Sequence, residues 1–417
     1  MKKLFIILIT LLAINETEAQ WITQNSGTTK HLNSVYFINT NIGYAVGDSG
    51  VILTTIDGGM NWTAQNSGTN MDLHSVYFCN FSNGVCVGDI GAIIKTTDGG
   101  INWVPSILDS NSTLTSVQFT SDSIGYVVGH QPDIGISWNA FVYKTLDGGG
   151  SWDVNFITPG FLESIHFPSI DTGYAVGRKP LIGAPAMMIK TTNNGSNWTV
   201  TEYNFISEGF YSVYFTENET GYCAGESWPS GIDAPQLFKT IDGGITWTQL
   251  SLGHFKINSL YFSNNNKGYG VGYNIWGGGG TTLKFLNGGQ NWNCQDSNLH
   301  SGLLDVHFPI VDTGYIVGRN GIILKTTNGG GSPVGINDLP SEINSVAVFP
   351  NPTSTTITFK ITSEGYLSIY NNNGQQILQQ EISEQNRNID ISILARGNYF
   401  FKVASEKGVQ MGKFIKE

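Results

Sequence analysis

The sequence predicts an all-β protein, a seven-bladed β-propeller followed by a small Ig-like antiparallel β-sandwich. Three observations predict it: a unit of roughly 41–49 residues recurs seven times, each unit holds four strand-like runs, and the pattern changes after residue 332. The composition agrees. Among 417 residues there are 52 glycines and 12% aromatic residues against 13% charged ones, a balance suited to short strands and tight turns rather than to helices or disorder.

The repeat has three landmarks. A phenylalanine ends an alternating run at Phe37, Phe78, Phe119, Phe167, Phe215, Phe262 and Phe308. A Gly-Tyr-x-x-Gly element follows from Gly43, Gly84 (with Val85 for Tyr), Gly125, Gly173, Gly221, Gly268 and Gly314. An Asp/Asn-Gly-Gly turn comes next, from Asp57, Asp98, Asp147, Asn193 (as Asn-Asn-Gly), Asp242, Asn287 and Asn328. A four-stranded unit cannot bury both of its faces alone, so neighbours must stack into a closed ring. After the turn, units one to six carry Trp62, Trp103, Trp152, Trp198, Trp247 and Trp292, whereas unit seven has Pro333 there. The missing strand is found at the other end. Trp21-Ile-Thr-Gln-Asn-Ser-Gly-Thr matches the segment from Trp62 to Thr69, so residues 20–28 are expected to complete the seventh blade and hide the open edges.

Lys2 and Lys3 precede an apolar run too short to span a bilayer, and Thr17-Glu18-Ala19 is an acceptable cleavage site. Residues 1–19 therefore read as a signal peptide, and no later stretch is long and apolar enough to be a transmembrane segment. A net charge of −11 argues against nucleic acid as a partner. Cys79 and Cys86 flank one hairpin turn at a spacing that would let them bridge it, while Cys223 and Cys294 read as small buried hydrophobes. No metal or nucleotide motif occurs, and no cofactor is expected.

Thr96-Thr-Asp-Gly-Gly-Ile-Asn-Trp103 resembles the Asp-box, or BNR, repeat of sialidases, and the whole unit resembles the propellers of the photosystem II assembly and stability factor family. The resemblance spans 20–332 and implies the propeller fold, with the Asp-box turn structural and away from the ligand face. A photosystem role is disfavoured, because that family's basic functional surface has no counterpart in an acidic chain with few arginines. Residues 333–343 read as a linker. Residues 344–417 resemble the type A sorting domain of the type IX secretion system of Bacteroidetes, on Phe349-Pro-Asn-Pro352, Leu367 to Gln375, Ile389 to Val403 and Gly412 to Lys416. That resemblance implies the type IX machinery as a partner, with export, removal of the domain, and release or attachment at the outer-membrane surface.

Blade topology sorts the loops. With strands A to D running from axis to rim, the B–C and D–A loops share one face. The B–C loops are short in blades one, two and seven (from Asp48, Asp89 and Arg319) and long in blades three to six: His130 to Ala140, Arg178 to Pro185, Glu226 to Pro235 and Tyr273 to Thr281. Seven of the ten tryptophans take the structural position, and the other three, Trp138, Trp228 and Trp276, all fall in long loops. Exposed tryptophan supplies contact area at small entropic cost, which suits glycans and protein hot spots. The candidate ligand-binding set is therefore Trp138, Trp228 and Trp276 with His130, Arg178, Glu226, Tyr273 and Arg319. A second polar ring is expected at the start of the inner strands: Asn33, His74, Thr115, Glu163, Tyr211, Asn258 and Asp305.

Catalysis is weighed against this. A sialidase needs three arginines around its substrate carboxylate, and the propeller has two, Arg178 and Arg319. A glycoside hydrolase needs two carboxylates across a cleft, for which Glu163, Glu226 and Asp305 are the candidates. The expectation is a secreted or cell-surface module binding a glycan or protein ligand, with a glycosidase as the alternative.

Overall fold

The computed structural model describes residues 21–132, 138–180, 185–204, 209–227, 234–250, 255–274, 279–296, 302–331, 348–361, 364–371, 376–383, 385–405 and 408–417. The chain divides into two compact units, with the boundary after Ser332. Among the described residues the first unit consists of seven four-stranded antiparallel sheets and the second of one three-stranded and one four-stranded sheet, with no α-helix in either.

The repeat landmarks are packing devices. In each blade the phenylalanine ring lies flat over the first glycine of the Gly-Tyr element: a Cβ on Gly43 would sit 2.5 Å from the Phe37 ring, and the same holds at the other six blades. Except at Phe119, where the preceding blade has Val85, the ring's other face takes a tyrosine from the preceding blade. Tyr44 stacks on Phe78 at 3.9 Å, Tyr174 on Phe215 at 3.6 Å and Tyr222 on Phe262 at 3.8 Å between centroids. The tryptophan then meets the phenylalanine edge-on, as in Phe37–Trp62 at 5.9 Å. Blade contacts are thus built from Phe, Tyr and Trp at fixed spacing.

The Asp-box turn is hydrogen-bonded throughout. Asp57 Oδ1 accepts from Thr55 Oγ1 at 2.8 Å and from Asn61 N at 2.9 Å, and Thr55 Oγ1 in turn accepts from Gly59 N at 2.8 Å. Gly58 and Gly59 occupy φ +68° and +84°, which side-chain-bearing residues rarely adopt. These donors hold the Asp57 carboxyl down at about 2. The preceding blade grips the same turn: Lys325 Nζ and Tyr315 Oη donate to Gly58 O at 2.7 and 2.9 Å. That contact joins blade seven to blade one.

The seventh sheet has the order Ile22–Gln24, Ile323–Thr326, Thr313–Gly318, Leu303–Ile310, so its outermost strand comes from the start of the chain. Ile22 pairs with Lys325 and Gln24 with Ile323. Trp21 packs edge-on against Phe308 at 5.9 Å, the place its counterparts take in other blades.

None of the four cysteines is joined in a disulfide. Cys86 and Cys79 do not bridge their hairpin: Cys86 is buried toward blade one and Cys79 toward blade three, on opposite faces of the sheet. Cys223 is buried as expected, but Cys294 is exposed on an outermost strand. The C-terminal unit packs Val348–Phe349, Thr356–Phe359 and Asn388–Asp390 against the sheet of Gln376–Ile382, Gly365–Tyr370, Gly397–Ser405 and Gly408–Lys416, around Ile357, Phe359, Leu367, Ile369, Phe401 and Phe414.

Candidate functional site at the propeller mouth

The second glycine of the Gly-Tyr-x-x-Gly element shapes the mouth. A Cβ on Gly47 would lie 1.9 Å from His31 O and one on Gly177 1.9 Å from Phe161 O, so only glycine admits the neighbouring carbonyl. That close approach accompanies a β-bulge in every inner strand. Leu32 pairs with Gly47 and Ser34 with Val46, leaving Asn33 as the extra residue. The equivalent extra residues are His74, Thr115, Glu163, Tyr211, Asn258 and Leu304. Bulges re-aim side chains, and here they aim seven different ones around one opening.

This corrects the expected ring at one point. Asp305 is level with Ser34, not with Asn33, and Leu304 takes the mouth position. One residue deeper, the inner strands of blades one to five carry a serine that accepts from the next blade: Ser34 from Val76 N, Ser75 from Val117 N, Ser116 from Ile165 N, Ser164 from Val213 N and Ser212 from Leu260 N. Asp305 replaces serine where the ring closes. Its Oδ2 accepts from Val35 N at 2.9 Å and its Oδ1 from Ser259 Oγ at 2.7 Å and Val306 N at 2.9 Å. Burial raises its pKa and these donors oppose the shift. With its oxygens so occupied, Asp305 serves the seam between blades and is withdrawn from the mouth.

Below the serines runs a collar of Tyr77, Tyr36, His307, Tyr261, Tyr214 and His166, with neighbouring ring centroids 4.4–5.3 Å apart. His166 and His307 accept through Nδ1 from Phe215 N at 3.2 Å and Phe37 N at 3.3 Å, which sets the Nε2–H tautomer. Burial pushes both histidines down to about 4. Gln118 fills the remaining place, accepting from Phe167 N at 2.9 Å. The cavity bounded by the serines and the collar is about 330 Å³. The collar was missed in the sequence, although its members all stand one residue before the repeat phenylalanine.

The expected ligand-binding residues divide. His130, Arg178, Glu226 and Tyr273 do not begin loops. The strands of blades three to six continue past the glycine, so that His130 pairs with Ala140, Arg178 with Ala186, Glu226 with Pro235 and Tyr273 with Gly280. Trp138 lies in this extension, opposite Pro132. Trp228 and Trp276 lie outside the described residues, as does the side chain of Glu226. Arg319 begins a three-residue turn, like Asp48 and Asp89, and is exposed.

Blades three and four bring together a cluster that spacing did not reveal. The Phe161 ring lies 5.2 Å from Trp138 and 4.8 Å from His130, with the Arg178 guanidinium 4.4 Å over its face. Phe161 occupies a position that is His31, Asp72, Thr113, Gly209, Lys256 or Gly302 in other blades, and that lone aromatic was the available signal. Glu163 stands two residues on. Burial raises its carboxyl pKa, against the pull of Arg178 and His74. His74 is engaged with Asp89 at 2.8 Å. Burial, then the Arg178 charge, lowers His130 to about 4. Among the described residues the side chains of Arg178 and Glu163 form no ion pair or hydrogen bond, and His130 Nδ1 and Gln131 Oε1 are buried without partners. These two atoms adjoin Arg178 and Trp138, so a ligand seated there could supply hydrogen bonds that the described residues do not. No group of three or more potential metal-ligating His, Cys, Asp or Glu residues occurs among the described residues.

These features define a β-propeller with rigid Asp-box turns on one face and a variable polar mouth on the other, joined in one chain to a separate β-sandwich. Residues 13–111 and 105–205 match the photosynthesis system II assembly factor YCF48 family, and residues 347–417 match the secretion system C-terminal sorting domain. The chain therefore carries a YCF48-like BNR propeller followed by a type IX sorting domain, which indicates secretion by that system. Among solved structures, YCF48 bound to D1 peptide is 21% identical, with a TM-score of 0.59, covering 74% of this chain and 97% of that one. YCF48 from Cyanidioschyzon merolae is 18% identical at TM-score 0.58, covering 73% and 98%. The WD40 propeller domain of Doa1 is 10% identical at TM-score 0.54, covering 73% and 95%. At these identities the likeness concerns the fold alone. No curated protein matches the chain. No helix among the described residues is long and apolar enough to cross a membrane.

Proposed function

We propose that the protein is a secreted or surface-attached binding module whose mouth holds a glycan. The observation that supports this most is the pair Arg178 and Glu163, whose side chains are without hydrogen bond or ion pair among the described residues, near the half-buried indole of Trp138. An indole face takes a sugar ring, and free charged groups take its hydroxyls and substituents. A peptide has one observation in its favour, that a similar propeller is a YCF48 bound to a D1 peptide. Against strand addition in the channel stands the belt of Ser and Asp305, which already occupies a backbone N–H of every inner strand. The glycosidase alternative loses Asp305 from its carboxylates and keeps Glu163 and Glu226. After removal of the sorting domain, attachment at the outer-membrane surface would place the mouth among extracellular polymers.

Glycan and peptide arrays probed with wild type and Trp138→Ala test the reading. Glycan signals that disappear in the variant support it; signals that persist move the site elsewhere. Hydrolysis of a bound glycan, lost in Glu163→Gln, would make the protein an enzyme.

A further inference from the structure

We infer that the sugar recognised at the mouth is acidic: a uronic-acid unit with its ring on Trp138, its carboxylate on Arg178 and its hydroxyls on Glu163. This rests on the glycan reading and adds the charge of the ligand.

The arginines carry the argument. The propeller span holds two, Arg178 and Arg319, in a chain of net charge −11. Carboxylates abound, yet among the described residues neither guanidinium is ion-paired, and both stand at the mouth. Arg178 is held against the Phe161 ring at 4.4 Å, which orients the planar group while its N–H fork has no acceptor among the described residues. A fixed fork suits a planar carboxylate, which it binds through two parallel hydrogen bonds.

Charge balance narrows the choice. Around Phe161, Arg178 and Glu163 contribute one positive and one negative group, His130 is neutral above about pH 4, and His74 is engaged by Asp89. A ligand with a single negative charge on the arginine side and neutral donors on the Glu163 side completes this set. A phosphate of higher charge would meet Glu163 repulsively, and a neutral sugar would leave the guanidinium without an acceptor. A uronic acid offers the required combination, with a carboxylate on the same ring as donor hydroxyls and an apolar face for the indole.

Calorimetric titration of the full-length chain tests this with galacturonate, glucuronate and alginate oligomers, the methyl ester of the galacturonate oligomer, neutral oligosaccharides and an oligo-aspartate peptide. At least one uronate oligomer should bind, and esterification or reduction of its carboxyls should weaken binding about 10- to 100-fold. Arg178→Lys should cause a similar loss for the acid and little change for the neutralised form. Trp138→Ala should weaken both. Thermal melting of each variant verifies folding. If the neutralised sugar binds as well as the acid, or Arg178→Lys binds like wild type, the acidic assignment fails while the glycan reading stands. If only neutral oligosaccharides bind, the same conclusion follows. Binding of the peptide alone would overturn both, and sugar binding that survives Trp138→Ala would remove the site assignment.

Discussion

The two ends of the propeller follow opposite rules. At the Asp-box end, side chains repeat from blade to blade and their oxygens are occupied: Asp57, Asp98 and Asp242 each accept from the threonine two residues before and from a backbone N–H four residues on. At the mouth the backbone repeats, with a bulge in every inner strand, but the bulged residue changes from blade to blade. The difference teaches where a repeat protein keeps stability and where it keeps freedom to recognise. A turn whose bonds are internal to its own sequence must stay the same. A bulge held by glycine and backbone contacts leaves its side chain free to vary.

The largest expected effect comes from the seam. Asp305→Ala leaves Val35 N, Val306 N and Ser259 Oγ without an acceptor and should cost roughly 3–5 kcal/mol. Asp305→Ser, which restores the residue of the other blades, should cost less than half of that. Urea unfolding of both variants checks the order, and equal losses would show that the carboxylate has no special part in closure.

The next effect is in the collar. His166 and His307 fall from 6.5 to about 4 on folding, so the folded state takes up their protons later than the unfolded one. Stability is complete above pH 6.5 and is lost as pH falls from there to about 4, by roughly 2–3 kcal/mol per histidine. Asp305 works in the opposite sense, since its raised pKa favours the folded state as the carboxyl protonates. The comparison is therefore between wild type and the double variant His166→Gln, His307→Gln. Gln118 shows that glutamine accepts the same backbone N–H. The variant should match wild type at pH 7.5 and exceed it at pH 4.5; parallel pH profiles would place the sensitivity elsewhere. The Asp-box carboxylates Asp57 and Asp242 lose their contribution in a lower window, as pH falls from about 4 through about 2.

A smaller effect sharpens the contrast between the ends. Asp98→Ala removes an acceptor from an Asp-box turn and should lower the denaturation midpoint. Arg178→Lys, at a group with no hydrogen bond to lose, should stay within about 0.5 kcal/mol in the same unfolding assay. The reverse order would mean that the mouth contributes to stability rather than to recognition.

The smallest effect is a gain. Ile90 sits at φ +56°, a left-handed conformation unfavourable for a β-branched residue, where the matching turns have Ser49 and Asn320. Ile90→Asn should stabilise the protein by about 0.5–1 kcal/mol, read as a higher denaturation midpoint.

Most of the fold was legible in the sequence because its determinants are local and periodic. Phe37, Gly43, Tyr44, Asp57 and Trp62 recur at spacings that directly reflect strand, turn and inter-blade contact, and the match of residues 21–28 to 62–69 pointed to the strand that completes the last sheet. The mouth was legible in outline: the rings containing Glu163 and Arg178 were expected on one face. Its particulars were not. Phe161 was not singled out, and Asp305 was placed one residue out of step, although Leu304 stands four residues before Phe308 as Asn33 does before Phe37.

By itself the sequence determined the repeating units, their Asp-box turns and the exported two-part organisation, all carried by motifs that state their own geometry. Only the tertiary structure decided that Asp305 turns into the seam, that His166 and His307 join the collar, and that Trp138, Phe161 and Arg178 meet across two blades. The physical reason is that strand side chains alternate faces with a period of two, so a single bulge exchanges inside for mouth. Which neighbour each side chain then meets depends on blade packing, which repeat spacing does not encode.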